Sequence, residues 1–145
     1  MHELSVAQGI IDAVIFEAEK NNAKHVQEIN VDVGELMQLD TRLLGESIKG
    51  LLTGPKLTGA KIGLKVEDAF FECRKCSENW DMTEARKQLA GAPDNLLIRE
   101  PDTKELPLHF LPYLYPAFIR CPKCGSTDVA VLKGEDIRLR KLIMD

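Results

Sequence analysis

The chain has 145 residues, of which 44% are hydrophobic and 29% are charged, and its formal net charge at pH 7 is −4. This length suits one ordinary domain or two small ones with a real core, and the composition excludes collagen-like, disordered and disulfide-scaffold proteins. No apolar run approaches the roughly 20 residues that span a bilayer, and the negative net charge argues against a nucleic-acid binder.

Two amphipathic helices are predicted in the first part of the chain. Apolar residues at spacings of three and four predict the first over residues 4–22, and Asn21-Asn22 supplies its stop signal. The second begins after a cap at Asp40 or Thr41, and Gly54-Pro55 terminates it. Each helix therefore offers one apolar face to a core.

Alternating patterns predict two strands and a third that returns from the C-terminus. A strand is predicted over residues 26–33, where apolar side chains alternate with Asn30 and Asp32, and a second over residues 60–67, where apolar side chains alternate with lysines and Gly63. Near the end of the chain Ile137 and Leu139 alternate with arginines, but Lys141 breaks this alternation. A bulge near Arg140-Lys141 would shift the register by one residue and return the apolar run that follows to the same face as Ile137 and Leu139. Because a single terminal strand needs an edge to pair with, we expect it to join the sheet of the first two strands.

Residues 81–119 form an insertion with little periodicity. A short helix is predicted from Glu84 to Leu89, and Gly91-Ala92-Pro93 breaks it. Further prolines oppose long regular structure in the rest of the insertion: Pro101, Pro107, Pro112 and Pro116. A bound zinc ion is therefore expected to stabilise the fold of this region.

All four cysteines occur as two C-x-x-C pairs, Cys73 with Cys76 and Cys121 with Cys124. The N-terminal sequence lacks the pattern of a signal peptide, which indicates the cytoplasm, where disulfides are rare. Two such pairs predict one tetrahedral zinc site, and it is structural because four thiolates leave no open position for water. The redox alternative needs a βαβ context, which neither pair has. The second pair, followed by Gly125, is the stronger knuckle, whereas the first is followed by Ser77.

The first two residues, Met1-His2, offer a different kind of metal site. The α-amine, the His2 amide nitrogen and its ring Nδ1 can wrap one ion through fused chelate rings, and such a planar nitrogen set suits Ni(II) or Cu(II). The backbone or carboxylate of Glu3, or another histidine, could complete it. On spacing alone a solvated histidine is the alternative, as it is for His25 at the start of a strand and for His109 in the insertion.

Several segments together resemble the hydrogenase nickel-insertion accessory family, HypA. They are Met1-His2-Glu3-Leu4-Ser5, Val33-Gly34-Glu35-Leu36, the turn from Thr53-Gly54 to Thr58-Gly59-Ala60-Lys61-Ile62, and Cys121-Pro122-Lys123-Cys124-Gly125-Ser126. The resemblance covers nearly the whole chain in order. The long segment between the cysteine pairs resembles the long-insertion archaeal members. Gln38-Leu39-Asp40 and Ser77 depart from the family pattern, but neither departure touches a predicted ligand.

The resemblance implies a nickel metallochaperone that delivers Ni(II) to the precursor of the [NiFe]-hydrogenase large subunit, and in some organisms to urease maturation. It implies a carrier and not an enzyme, with a nucleotide-hydrolysing partner of the HypB family and no nucleic acid or membrane. The implied transient nickel ligands are Met1, His2 and Glu3, with His109 as the candidate supplied by the insertion. The implied structural zinc ligands are Cys73, Cys76, Cys121 and Cys124.

The expected fold is α+β. Residues 1–69 plus 130–145 are expected to form a small nickel-binding domain with two helices and a three-stranded sheet, to which the C-terminal strand returns. Residues 70–129 are expected to form an inserted zinc-ribbon-like module. Monomer and homodimer both stay open.

A second class of function is a zinc-ribbon interaction module in transcription or translation. It would need a basic face, for which the last strand offers only Arg138, Arg140 and Lys141 in a chain of net charge −4. A zinc enzyme is disfavoured because no set of His, Asp or Glu residues accompanies the cysteines in sequence.

Overall fold

The computed structural model describes residues 3–90, 98–100, 103–105 and 119–145. It has three α-helices, one 3₁₀ helix and eight strands within these ranges. In chain order they are α1 (Glu3–Lys20), β1 (Val26–Gly34), the 3₁₀ helix (Glu35–Met37), α2 (Thr41–Gly50), β2 (Lys61–Glu67), β3 (Phe70–Cys73), β4 (Asn79–Asp81), α3 (Met82–Ala90), β5 (Ile98–Glu100), β6 (Thr103–Glu105), β7 (Val129–Lys133) and β8 (Ile137–Met144). The predicted α+β class is confirmed. None of the described helices is long and apolar enough to cross a membrane.

The chain divides into two compact units. The first unit comprises Met1–Val33, Leu39–Val66 and Ile137–Asp145, and the second comprises Gly34–Gln38 and Glu67–Asp136. Each unit has its own cluster of buried apolar side chains.

The first unit packs α1 and α2 against a three-stranded sheet of order β2-β1-β8. Its core takes alternate residues of β1, which are fully buried, and the apolar stripes of both helices. Members of this core include Ile10, Ile11, Val14, Ile29, Val31, Val33, Leu44 and Ile48. This is the arrangement that the periods of 3.6 and 2 predict.

The end of α1 and the start of α2 have identifiable caps. α1 ends at Lys20 because Asn22 adopts a left-handed backbone (φ 52). The Ala23 N–H then reaches the Ala18 carbonyl and the Asn22 N–H reaches the Glu19 carbonyl, which is a Schellman motif. At the start of α2, Asp40 Oδ1 accepts hydrogen bonds from the backbone N–H groups of the next turn.

The returning strand β8 joins the sheet of the first two strands, as predicted; it pairs antiparallel with β1 and carries the predicted bulge. Asn30 lies opposite Lys141 and Val31 lies opposite Leu139, so Arg140 is the extra residue. The bulge lets Leu139 and Leu142 both pack on the core. It also places Arg140 Nε 3.1 Å from Asp32 Oδ1 on β1.

The second unit contains a three-stranded sheet of order β4-β3-β7 that the periodicity did not predict. Its strands have three to five residues, too few for an alternating pattern to stand out. Phe71 is fully buried and stacks on Trp80 with ring centroids 5.9 Å apart. α3 confirms the short predicted helix, and Asp81 caps it.

A short hairpin of β5 and β6 lies within the insertion. The predicted helix break at Gly91-Ala92-Pro93 and all four prolines of the insertion fall outside the described residues.

Candidate metal centre

Four thiols from distant parts of the sequence meet in the second unit. The Sγ atoms of Cys73, Cys76, Cys121 and Cys124 all lie within 4.8 Å of one another. Cys73 Sγ is 3.5 Å from Cys124 Sγ, and Cys76 Sγ is 3.5 Å from Cys121 Sγ. These distances exclude disulfides, in which the sulfurs are about 2.05 Å apart. A tetrahedron with Zn–S bonds of about 2.3 Å has sulfurs about 3.8 Å apart, so the thiol set fits zinc.

The two C-x-x-C knuckles have the same backbone geometry. In the first, Cys73 N–H donates to the Glu78 carbonyl and the Cys73 carbonyl accepts from Ser77 N–H. In the second, Cys121 N–H donates to the Ser126 carbonyl, and the Cys121 carbonyl accepts from Gly125 N–H. Ser77 has φ 64 and Gly125 has φ 75, so both knuckles leave through a left-handed residue. The knuckle without a glycine therefore forms the same turn with a strained serine.

This strain predicts a stabilising substitution. Ser77→Gly is expected to raise the free energy of unfolding by about 1 kcal/mol, because glycine adopts a positive φ without a Cβ penalty. Gly125→Ser is expected to lower it by a similar amount. Both positions are exposed, so the pair differs mainly in backbone preference. Thermal unfolding of the zinc-loaded variants measures this effect, and equal midpoints for all three proteins would contradict it.

Backbone N–H groups point at the first sulfur of each knuckle. Cys73 Sγ accepts from Cys76 N–H at 3.4 Å, and Cys121 Sγ accepts from the N–H groups of Lys123 and Cys124 at 3.4 Å. Burial alone would raise the pKa of Cys121, but these N–H donors and the neighbouring thiols outweigh it and lower the pKa to about 7. For Cys73 burial likewise opposes the shift, and the same kinds of donor bring its pKa below the usual value.

Cys76 shows the opposite tendency. A hydrogen bond with the Glu78 backbone favours its thiolate, but burial and the three neighbouring thiols prevail and raise its pKa to about 12. The pKa values of Cys121 and Cys76 therefore move in opposite directions, because adjacent thiolates repel one another.

Two ion pairs also connect the two knuckles, each joining a cation within one knuckle to a carboxylate that follows the other. Arg74 of the first knuckle pairs with Asp128 beyond the second at 3.1 Å, and Lys123 of the second lies 4.0 Å from Glu78 beyond the first. These pairs are largely exposed, so each contributes no more than about 1 kcal/mol. Their positive members lie next to the sulfurs in sequence and suit the net negative charge of a metal held by four thiolates.

Three of the predicted nickel ligands, Met1, His2 and His109, lie outside the described residues. Glu3 begins α1, and its Oε1 accepts a hydrogen bond from the Asp40 backbone N–H at 3.2 Å. Asp40 was predicted only as a possible cap of α2, and the sequence has no spacing signal that links it to Glu3. His25 is bonded through Nε2 to the Thr58 carbonyl at 2.8 Å. Within the described part of the chain, the four cysteines are the one group of three or more His, Cys, Asp or Glu residues able to hold a metal.

Comparisons with known proteins agree along the whole chain. The family model described as HypA, hydrogenase/urease nickel incorporation, metallochaperone, matches residues 1–144. The hydrogenase maturation factor HypA of Pyrococcus horikoshii is 34% identical over 94% of this chain and 91% of its own length. That of Pyrococcus furiosus is 32% identical over 100% of this chain and 96% of its own. The solution structure of the Ni metallochaperone HypA from Helicobacter pylori shares the fold, with a TM-score of 0.60, 22% identity, and coverage of 99% of this chain and 97% of that one.

Proposed function

Because the chain belongs to the HypA family of hydrogenase/urease nickel-incorporation metallochaperones, we propose that it carries Ni(II) on its N-terminal residues and holds its zinc on the four clustered thiols. The chain is a nickel metallochaperone of hydrogenase maturation. The single observation that carries this function is the family match, which includes the N-terminus and both cysteine pairs. The runner-up, a zinc-ribbon module in transcription or translation, is not favoured by it.

The proposed nickel site combines the α-amine, the amide and ring nitrogens of His2, Glu3, and His109 as a ligand from the insertion. The position of Glu3 supports this assignment. Its carboxylate accepts a hydrogen bond from the Asp40 N–H at the start of α2, and this bond restricts the rotamers of the Glu3 side chain. A three-nitrogen chelate that one further ligand completes can also be opened by losing that ligand, as a carrier requires. Acidification is expected to weaken nickel binding, because the nitrogen ligands must lose protons to bind.

The zinc ligands in this proposal are Cys73, Cys76, Cys121 and Cys124. Because the protein itself fills the tetrahedron, no position remains for a reacting water, and the proposed role is structural and non-enzymatic. We assign the N-terminal nickel ligands to the first unit and the zinc ligands to the second.

The partners follow from delivery in hydrogenase maturation. We propose that they are the precursor of the hydrogenase large subunit and a nucleotide-hydrolysing protein of the HypB family. The cytoplasm is the proposed location, because four thiols arranged for a metal ion require a reducing compartment.

The direct test is His2→Ala on untagged, zinc-loaded protein. Loss of the ring nitrogen removes one of the three in-plane nitrogens and the chelate ring that it closes, so specific Ni(II) binding is expected to disappear in equilibrium dialysis, together with the absorption of planar nickel. His25→Ala is the matched control, because this half-buried histidine is already hydrogen-bonded to a carbonyl of the first unit. Planar nickel spectra that persist in His2→Ala would contradict the proposed N-terminal nickel site.

His109→Ala tests the ligand from the insertion separately. We expect weaker nickel binding by isothermal titration and one nitrogen fewer in X-ray absorption, with the zinc content unchanged. Unchanged affinity together with an unchanged coordination number would remove His109 from the site and leave the N-terminal chelate intact.

A further inference from the structure

The four clustered thiols differ in their access to solvent. Cys73 and Cys121, the first cysteine of each knuckle, are buried, and Cys76 is half-buried. Cys124 is exposed, as is the whole turn of the second knuckle from Pro122 to Gly125. A dissolved molecule can therefore reach the sulfur of Cys124, whereas protein atoms cover its three partners wholly or in part.

Hydrogen bonds protect the covered sulfurs further. The backbone N–H bonds of 3.4 Å go to the two buried sulfurs, those of Cys73 and Cys121, and the Glu78 backbone bonds to Cys76. A hydrogen bond donated to a thiolate stabilises the negative charge on the sulfur and lowers its nucleophilicity. The least accessible sulfurs are thus also stabilised by these bonds, which makes the exposed Cys124 the sulfur that an electrophile meets first.

A second thiol lies within reach of Cys124. Cys73 Sγ is 3.5 Å from Cys124 Sγ, so an approach of about 1.5 Å brings the two sulfurs to the bond length of a disulfide. The exposed second knuckle can supply this small movement by a rotation of the Cys124 side chain. An accessible thiolate with a resolving thiol beside it is the arrangement found in cysteines that oxidise reversibly.

From these observations we propose that Cys124 is a site of reversible oxidation by hydroperoxides, and that the product is a Cys73–Cys124 disulfide that releases the zinc. This inference rests on the proposed ligation of zinc by the four thiols and adds a modification of one of them. The disulfide removes two of the four ligands. The two thiols that remain, Cys76 and Cys121, do not complete a tetrahedral site.

The reaction with hydrogen peroxide balances without a further reactant. The Cys124 sulfur attacks one peroxide oxygen, so an S–O bond forms, the O–O bond breaks, and the hydroxide that leaves takes up a proton. The Cys73 thiolate then attacks the Cys124 sulfur, so the S–S bond forms, the S–O bond breaks, and a second hydroxide leaves and takes up a proton. Two thiolates lose two electrons, the peroxide gains them, and two molecules of water are produced.

Oxidation at this exposed sulfur affects the whole second unit. Cys73 and Cys121 belong to the same buried cluster as Phe71 and Trp80, so the metal that they hold stabilises the core of this unit. A hydroperoxide acts on that metal site from the surface, without entering the core. An excess of small thiol reduces the disulfide again and restores the ligands.

The test is a peroxide titration of the full-length, zinc-loaded protein under anaerobic conditions. A zinc-binding dye measures the release of zinc, and alkylation followed by non-reducing peptide mapping identifies the disulfide present at an early stage of the release. We expect the bound zinc to be released, the Cys73–Cys124 disulfide to form first, and dithiothreitol with added zinc to restore the metal content. The mapping needs no variant and decides the proposal by itself.

Cys124→His and Cys76→His form a matched pair of variants. Each retains three thiolates and gains one imidazole, a common ligand set of structural zinc sites, and each lacks one sulfur that can be oxidised. Zinc release from Cys124→His is expected to be at least about tenfold slower than from the unsubstituted protein, because the accessible thiolate is missing. Cys76→His should release zinc at close to the unsubstituted rate, and so should His2→Ala, which separates this proposal from the nickel site.

Three results would overturn the proposal. The first is a zinc-loaded protein that keeps its zinc in excess peroxide. The second is a first disulfide within one knuckle, Cys73–Cys76 or Cys121–Cys124, in place of the disulfide between knuckles. The third is equally fast release from Cys124→His and Cys76→His. A protein that holds no zinc before peroxide is added would contradict the zinc assignment itself and this inference with it, so the two failures are distinguishable.

Discussion

Cys121→Ser is expected to abolish stoichiometric zinc binding and to unfold the core of the second unit. Cys121 is buried, its Sγ accepts two backbone N–H bonds, and it lies 3.5 Å from Cys76 Sγ, so a serine oxygen cannot reproduce its place in the cluster. Structural zinc contributes an apparent free energy of about 10–16 kcal/mol in small zinc-binding peptides, which matches or exceeds the whole stability of a typical domain, about 5–15 kcal/mol. The strands of this unit are too short to compensate for its loss.

The chain contains its own reporter for this experiment. Trp80 is the one tryptophan of the sequence, it is 6% exposed, and it stacks on Phe71 in the core of the second unit. Its emission is expected to shift to the red in Cys121→Ser, and removal of zinc from the unsubstituted protein with a strong chelator should reproduce the shift. Lys123→Ala is the control within the same knuckle, because its side chain is exposed and pairs only weakly with Glu78. Native tryptophan emission from a zinc-free Cys121→Ser protein would show that the metal does not hold this unit together.

The first unit shows how far the pattern of a sequence can determine a fold. Its helices are long enough for the apolar stripe to be unambiguous, and β1 alternates from Ile29 to Val33. The bulge in β8 was predictable for the same reason: the alternation of Ile137 and Leu139 fails at Lys141, and only one extra residue keeps Leu142 on the core side. Local periodicity was sufficient wherever a long element has one buried face.

The second unit was less predictable because its order comes from contacts between distant residues. The cysteine spacing predicted that four thiols meet, and the sulfur distances agree with it. No periodic pattern indicated β3, β4 or β7, which are held by pairing and by the packing of Phe71 and Trp80. The membership of Gly34–Gln38 in this unit is equally non-local, since Glu35 Oε2 accepts from Ala69 N–H at 2.9 Å.

The candidate sites follow the same division. Thiol spacing is a strong signal because few other arrangements of two C-x-x-C pairs are chemically stable in a reducing compartment. The contact of Glu3 with Asp40 could not be predicted, since it depends on how the first turns of α1 and α2 approach each other.

Three segments of the second unit meet around two glycines, and this meeting point should be intolerant of any side chain. Gly34 N–H donates to the Asp136 carbonyl, Leu36 N–H donates to the Gly134 carbonyl, and Gly134 N–H donates to Glu67 Oε1. A Cβ on Gly134 would lie 2.5 Å from Ala69 Cα, and a Cβ on Gly34 would lie 2.5 Å from the Gly134 carbonyl oxygen. The obstructing atoms are backbone, so relief requires the segments to separate and their hydrogen bonds to break.

Gly134→Ala is therefore expected to lower the free energy of unfolding by about 3–5 kcal/mol, because it adds the strain of its positive φ (82) to a backbone clash. Gly34→Ala, where φ is −64, isolates the clash and should lower it by about 2–3 kcal/mol. Gly125→Ala is the matched control in the same unit: it has a φ of 75 with nothing within 4 Å of the new Cβ, so about 1 kcal/mol is expected. Denaturant titrations followed by Trp80 fluorescence measure all three. Equal losses for Gly134→Ala and Gly125→Ala would mean that the close approach of these segments contributes nothing to stability, whereas a larger loss for Gly134→Ala measures the contact itself.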